Sequence, residues 1–346
     1  SKQFMQIISF IFRTSKLKII DTRLRLFIQK RSAKIICLIL LFFSNQSCST
    51  TTILKTTPNT VESFMMHRSD SILNKDYSKI SSDKLLKHSI FLTMTGFGFI
   101  MENAEKTLQE DYKNGLELYK EANQYFDKAV VLGNKYLKIK YPNFDEWLFE
   151  KSDSNIGFVK EDVEALYWLA AAYGGAVSSS QGNPKWVIHL PKVGRLIEKG
   201  IELDPTWNYG SLYSAMISYS TTVSDSPEND WDQDGNIGGY NRFGLKSIDS
   251  GSYNSKGIRE TEYVGVNVAT NYYNLALQAS NSMDLSAHVS FAENVLVFQQ
   301  NKTEFVDLLN HVLQFEENKI KDLKLGNYLA KQRAQWLLGK TEELFY

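Results

Sequence analysis

Apolar residues recur at helical spacing along almost the whole chain beyond residue 61. The segment 163–176 (VEALYWLAAAYGGA) is almost wholly apolar, as expected for a helix that is buried on several sides. No stretch alternates apolar and polar residues between turn signals, so a sheet is not expected. In residues 122–136 the steps of four, three and four that mark one face of a helix connect Tyr125, Ala129, Leu132 and Tyr136.

Three short strings along the chain share one design: YFDKAVVL at residue 125, LIEKGIEL at 196 and YYNLALQA at 272. In each string a bulky residue is followed three positions later by Ala or Gly, which lets the two helices of a hairpin pack closely. The first two strings lie about two 34-residue periods of a tetratricopeptide hairpin apart, and Pro205 follows the second string as a helix-ending residue. The sequence therefore predicts an all-α fold of stacked helical hairpins of tetratricopeptide-like type, with four hairpins. A nonrepetitive helical domain is the alternative.

Charge is distributed unevenly along the 346 residues. The first 34 residues hold nine Lys or Arg and one acid, whereas the other 312 hold 30 basic and 38 acidic side chains. A mildly acidic body is a poor binder of nucleic acid, because phosphate contacts need a positive face.

The basic N-terminal segment precedes nine apolar residues, 35–43 (IICLILLFF), which are too few to cross a bilayer that takes about 20. Polar SNQS and Cys48 follow, a pattern typical of an export signal that ends at a lipoprotein cleavage site, although Asn45 stands where such sites usually have Leu. We predict a signal over 1–47, lipidation of Cys48, a Thr-rich tether over 48–60 and a helical domain over 61–346. The alternative is a buried helix or an uncleaved anchor.

Motifs of common enzyme chemistry are missing from the sequence. The five histidines lie far apart, and neither HExxH nor CxxC is present to predict a zinc site. GFGFIM at residue 96 lacks the third glycine of a dinucleotide fingerprint, and there is no GxSxG elbow or phosphate loop. This pattern favours a binding or scaffold role over an enzyme.

Residues 166–212 (LYWLAAAYGGAVSSSQGNPKWVIHLPKVGRLIEKGIELDPTWNYGSL) resemble the signature region of the TatT family, the T-component of tripartite ATP-independent periplasmic (TRAP) transporters. Residues 326–345 and, more loosely, 82–108 share this resemblance. It implies a periplasmic lipoprotein that forms a homotrimer, docks the solute-binding subunit of the transporter and offers small ligands a pore. The alternative from another class is a nutrient-capturing lipoprotein of the SusD-like kind, and a helical hydrolase is the third.

Four residues are candidates for a ligand or partner contact. Trp168 and Tyr173 could line a groove or pore, although aromatic residues at helical spacing are more often core. Asn327 and Arg333 stand out as polar residues in an otherwise apolar terminal helix.

The run DWDQDGNIGGYN falls in an insertion, predicted over about 224–270, that the resemblance does not explain. Its spacing follows an EF-hand loop, with Gly235 at the sharp turn and Asn241 at position 12 in place of the usual bidentate Glu. A weak Ca²⁺ site and a solvated acidic loop are both compatible with this pattern. The candidate ligands are Asp230, Asp232, Asp234, the backbone carbonyl of Asn236 and Asn241.

Overall fold

The computed structural model describes residues 58–149, 156–224, 264–316 and 320–346, and within these ranges it contains helices and no strand. A π-helical turn, Gly96–Met101, links the helices Ser82–Thr95 and Glu102–Glu110, and a second, Ala292–Leu296, follows the helix Leu285–Phe291. The predicted all-α class is confirmed. The helices are α1 (Pro58–Leu73), α2 (Ser82–Thr95), α3 (Glu102–Glu110), α4 (Tyr112–Lys140), α5 (Phe144–Leu148), α6 (Val163–Ser179), α7 (Pro184–Val187), α8 (Leu190–Leu203), α9 (Ser211–Ser224), α10 (Val264–Ser280), α11 (Leu285–Phe291), α12 (Lys302–Gln314), α13 (Lys324–Gly339) and α14 (Thr341–Leu344).

Antiparallel neighbours pair into hairpins that stack in chain order. Helix α2 and its continuation α3 pack along α4, α6 packs against α8, and α9 packs against α10. Contacts of α4 with α6 and of α8 with α9 join one hairpin to the next. Helices α11 and α12 form a further pair, and α13 packs on both. The described chain is thus a stack of helical hairpins, as its repeated strings predict.

Small residues allow these helices to approach closely. Ala129, Gly200 and Ala276, the small members of the three repeated strings, are all buried. A Cβ added at Gly200 would lie 2.9 Å from Leu212 Cδ2, so α8 can pack this tightly on α9 only because residue 200 lacks a side chain. The repeated strings therefore mark the places where helices meet.

Local sequence signals set several helix ends. Asp111 precedes α4 and its side chain accepts a hydrogen bond from the Asn114 amide at 3.0 Å, which satisfies one unpaired donor of the first turn. Asp284 does the same for α11 through the Ser286 amide at 3.0 Å. Helix α8 ends at Leu203, two residues before Pro205, as the GIELDP pattern predicts.

Two helices begin a few residues before the boundaries that the sequence predicted. Helix α1 begins at Pro58, so the last three residues of the predicted tether form its first turn, where proline is well tolerated. Helix α10 begins at Val264, inside the insertion predicted to run to residue 270. The β-branched Val266 and Val268 have low helix propensity, but both are buried, and this packing outweighs the propensity.

The predicted signal, Cys48 and most of the predicted tether fall within residues 1–57, outside the described ranges, and stay predictions. The Asp-rich run and its five candidate Ca²⁺ ligands also lie outside those ranges. Within the part of the chain that the structure describes, no helix has both the length and the apolar content needed to span a bilayer.

Candidate functional site

Arg333 joins the last long helix of the stack to the first hairpin. Its Nη1 lies 2.6 Å from Glu105 Oε2 and its Nη2 lies 2.9 Å from Glu105 Oε1, which makes a two-bond pair with a carboxylate on α3. Its Nε and Nη2 also donate to Glu293, in the π-helical turn after α11. We call Glu105, Glu293 and Arg333 the closure cluster. Because 228 residues separate Glu105 from Arg333, the stack must curve far enough for its first and last hairpins to meet.

The closure cluster is a fixed arrangement of charge that remains partly open to solvent. Burial by itself lowers the pKa of Arg333, but the hydrogen bonds and charges of the two carboxylates outweigh it and raise that pKa above its usual value. The guanidinium carbon also lies 4.3 Å from the centroid of the Trp336 ring, within the range of a cation–π contact. A cation held this firmly suits a recognition surface better than proton transfer.

Exposed apolar side chains lie close in sequence to each member of the closure cluster. Phe97 precedes Glu105 by about two helical turns, Phe298 follows Glu293 by more than one, and Leu329 precedes Arg333 by one. Their side chains are 41%, 49% and 43% exposed, respectively. We call the closure cluster, Trp336 and these three apolar residues, which are grouped by their closeness in sequence to the cluster, the docking face.

Asn327 has a different environment from Arg333, although both belong to α13. Its side chain is 1% exposed, its Oδ1 accepts from the Leu285 amide at 2.9 Å, and its Nδ2 donates to the Met283 carbonyl at 2.9 Å. Both of its amide atoms are therefore engaged by backbone at the start of α11. In this conformation Asn327 fixes the position of α11 and offers no free polar atom to a ligand.

The two aromatic candidates of α6, Trp168 and Tyr173, also have different environments. Trp168 is half-buried and packs its ring edge-on against Tyr167, with the two centroids 5.3 Å apart. Tyr173 is buried, and its hydroxyl oxygen accepts a hydrogen bond from Asn134 Nδ2 at 2.9 Å. Tyr173 also lines an open groove.

This Tyr173 groove has a volume of about 580 Å³ and lies between α4, the end of α5 and the start of α8. Its walls include exposed apolar side chains of Val131, Ile139 and Phe149. Its polar lining includes Asn134 and Lys192. Concave sites of this size with a few convergent polar groups are typical of small-molecule binding.

Sequence reasoning did not find Lys192, Asn134, Glu105 or Glu293. Lys192 lies in the first turn of an amphipathic helix, and nothing in its neighbourhood in sequence distinguishes it from a solvated lysine. Glu105 and Glu293 become candidate site residues only because Arg333 contacts both of them. Helical periodicity carries no information about contacts between residues so far apart in sequence. Arg333 itself was the one member of the docking face that the sequence singled out.

Metal chemistry has no evident location in the described ranges, where no group of three or more His, Cys, Asp or Glu side chains could hold an ion. The Asp230 to Asn241 run lies outside those ranges, and its Ca²⁺ site stays a prediction. The described ranges thus form a stack of hairpins whose first and last parts are joined by the closure cluster, together with the docking face and the Tyr173 groove.

Comparison with protein families agrees with the resemblance inferred from residues 166–212. The family model described as TRAP transporter T-component matches residues 78–227 and 263–345, ranges that contain the docking face and the Tyr173 groove. A comparison with curated proteins finds no match. T-components are periplasmic accessory components of TRAP transporters. The chain belongs to the TRAP transporter T-component family.

Proposed function

We propose that this chain serves its transporter by binding the periplasmic solute-binding subunit, and that the docking face makes the contact. The family match over most of the described chain is the observation that carries this proposal. A stack of helical hairpins presents an extended surface, which other repeat proteins use to bind protein partners.

The composition of the docking face supports its role in that contact. Arg and Trp are enriched among residues that dominate binding energy, and here Arg333 stacks on Trp336. Three large apolar side chains lie near in sequence to the cluster and are more than two-fifths exposed. Because both carboxylates already hold Arg333, the face is preorganised and a partner would need to order little of it.

We also propose that the assembly is a homotrimer anchored by a lipid on Cys48. The trimer follows from the family resemblance, and the anchor follows from the position of Cys48 after the apolar segment. Labelling cells with a fatty-acid analogue should mark the wild-type chain and leave Cys48→Ala unmarked. Equal labelling of the two chains would exclude the anchor.

Binding is tested with the full-length chain and the solute-binding subunit of the same transporter. We expect sedimentation velocity to show a complex, with the T-component alone at three times its monomer mass. Leu329→Glu places a carboxylate on the docking face and should weaken the complex by at least about ten-fold, the equivalent of 1.4 kcal/mol. The matched control is Ile139→Glu, because Ile139 is 57% exposed and belongs to the Tyr173 groove instead.

Two results would contradict the proposal at different levels. Failure of the wild-type chain to bind the subunit at high micromolar concentration would exclude the function. An equal loss of binding in Leu329→Glu and Ile139→Glu, or a loss in Ile139→Glu alone, would retain the function and exclude the docking face.

A further inference from the structure

Lys192 places a buried cation in the Tyr173 groove, and no carboxylate among the described residues forms an ion pair with it. Its side chain is 6% exposed, and its Nζ lies 3.5 Å from the Phe149 ring centroid and 5.3 Å from that of Tyr173. In the described ranges, no carboxylate lies within salt-bridge distance of this ammonium and no acceptor forms a hydrogen bond with it. Lysines are almost never this buried unless they are paired, and two aromatic rings compensate only part of the lost hydration.

The position of Lys192 adds to its cost. Burial lowers the pKa of Lys192 to about 8, while the charge of Asp145 opposes that shift. Lys192 also lies in the first turn of α8, the end of a helix where a positive charge is unfavourable. A methionine would fill similar space without these penalties. Among the described residues only Asp145 offsets this cost, so an anion in the groove would stabilise the charged ammonium.

The polar groups around Lys192 bind other partners and leave room for an anion beside its ammonium. Asp145 is already paired with Lys138, and Lys135 donates to the Tyr77 carbonyl at 2.8 Å. Tyr173 accepts from Asn134, so its own hydroxyl proton remains available to a second acceptor. Lys135, Lys138 and Lys192 against the single Asp145 also make the groove positive, in contrast to the acidic body of the chain.

Apolar side chains continue the groove away from this polar floor. Val131 and Ile139 lie two helical turns apart on one face of α4 and are 53% and 57% exposed. Phe149 stands over the ammonium and is itself half-exposed. The groove therefore combines a positively charged end with an apolar wall.

We propose that the Tyr173 groove binds a small monocarboxylate with an apolar body. The carboxylate accepts hydrogen bonds from the Lys192 ammonium and the Tyr173 hydroxyl, and the apolar body lies against Val131 and Ile139. His189 also lines the groove, but burial and the charges of Lys192 and Lys185 lower its pKa, so it is neutral at neutral pH and does not compete for the anion. This site is separate from the docking face and does not depend on the solute-binding subunit.

Octanoate is the probe, with two matched controls that each lack one half of the proposed ligand. Octanamide keeps the apolar body without the charge, and acetate keeps the charge without the body. With the full-length chain alone, calorimetry should detect octanoate binding at millimolar concentration or below and little binding of either control. Lys192→Met should weaken octanoate binding by at least about ten-fold, as expected for loss of a hydrogen bond between charged groups. Lys185→Met removes an exposed lysine outside the groove and should have no effect.

Two measurements on the wild-type chain keep the test independent of whether Lys192→Met folds. Octanoate affinity should fall as pH rises from 7 to 9, because Lys192 loses its proton near pH 8. The other titratable groups of the described ranges that line the groove are Lys135, Lys138, Asp145, Tyr173 and His189. Lys185 is not among them, so Lys185→Met should show the same pH dependence. Octanoate should also protect Lys192 from reductive methylation, followed by NMR of the ¹³C-methyl label.

The proposal is overturned if octanoate does not bind, if octanamide binds equally well, or if Lys192 methylates at the same rate with and without octanoate. None of these outcomes bears on binding of the solute-binding subunit, because that partner is not in the experiment. Conversely, loss of the partner complex in Leu329→Glu leaves the groove proposal untouched.

Discussion

The Phe126 ring of α4 packs against Gly175 of α6 and Gly96 of the π-helical turn after α2, and only a residue without a side chain allows these close contacts. A Cβ at Gly175 of α6 would lie 2.6 Å from Phe126 Cζ and nearer still to two other ring atoms. A Cβ at Gly96 would also lie 2.7 Å from the same Cζ, and the ring is fully buried, so it has little room to move away. Carbon atoms pack best at about 3.5–4.0 Å, so Gly175→Ala requires a shift of roughly 1 Å in a close-packed region.

We expect Gly175→Ala to lower the free energy of unfolding by about 1–3 kcal/mol, the usual cost of overpacking. The gain in helix propensity from Gly to Ala, at most about 1 kcal/mol, offsets only part of the strain. Urea unfolding of the full-length chain, followed by circular dichroism, measures the change. Gly174→Ala is the matched control in the same helix, because a Cβ there meets nothing within 4 Å. It should leave stability unchanged or raise it by up to about 1 kcal/mol.

A double variant tests the mechanism directly. In a Phe126→Leu background the ring is gone, so Gly175→Ala should cost at least about 1 kcal/mol less than in the wild type, as coupled residues in contact do. Equal stability of Gly174→Ala and Gly175→Ala, or additive effects of the Phe126 and Gly175 changes, would refute the packing argument.

Three further predictions follow from individual side chains. Asn327→Ala leaves two buried backbone groups unpaired and should lower the unfolding free energy by about 1–3 kcal/mol for each, whereas a change within about 0.5 kcal/mol in urea unfolding would show that water replaces the amide. Burial and the nearby His311 lower the pKa of His288 to about 4, below the ~6.5 of an unfolded histidine, so its contribution to stability is complete above pH 6.5 and is lost as pH falls towards 4. The Tyr273 hydroxyl lies 2.7 Å from His288 Nδ1, and the side-chain oxygen of an asparagine at position 288 can accept from it. His288→Asn should therefore flatten the fall of the melting temperature over that pH range; an unchanged slope would contradict this. Millimolar Ca²⁺ should raise the melting temperature modestly through the Asp-rich run, and Asp232→Ala should abolish the rise without changing helical content; if calorimetry detects no Ca²⁺ binding, the run is an acidic loop.

The sequence predicted the features of the fold that repeat locally. Tyr125, Ala129 and Leu132 form a buried stripe because a helix that packs on one side must be apolar every three or four residues. The small residues of the repeated strings mark helix crossings for an equally local reason. The differences from the predicted bounds lie at helix ends such as Pro58 and Val264, where weak local preferences do not fix the first residue of a helix.

The candidate sites were less predictable because their residues are distant in sequence. Arg333 attracted notice as a charge in an apolar helix, but only the curvature of the whole stack brings it to Glu105. Lys192 resembles many solvated lysines until Phe149 and Tyr173 are seen to cover it. Tyr173 was weighed as core against groove, and the structure gives it both roles, since it is buried and also lines the groove.

The central claim is that this T-component binds the solute-binding subunit of its own transporter. The most direct measurement is calorimetric titration of the full-length chain with that subunit, beside a titration with the solute-binding subunit of an unrelated transporter. We predict saturable binding of the first at micromolar concentration and none of the second, with the first weakened by Leu329→Glu. Absence of binding to the transporter's own subunit, or equal binding to both, would contradict the account.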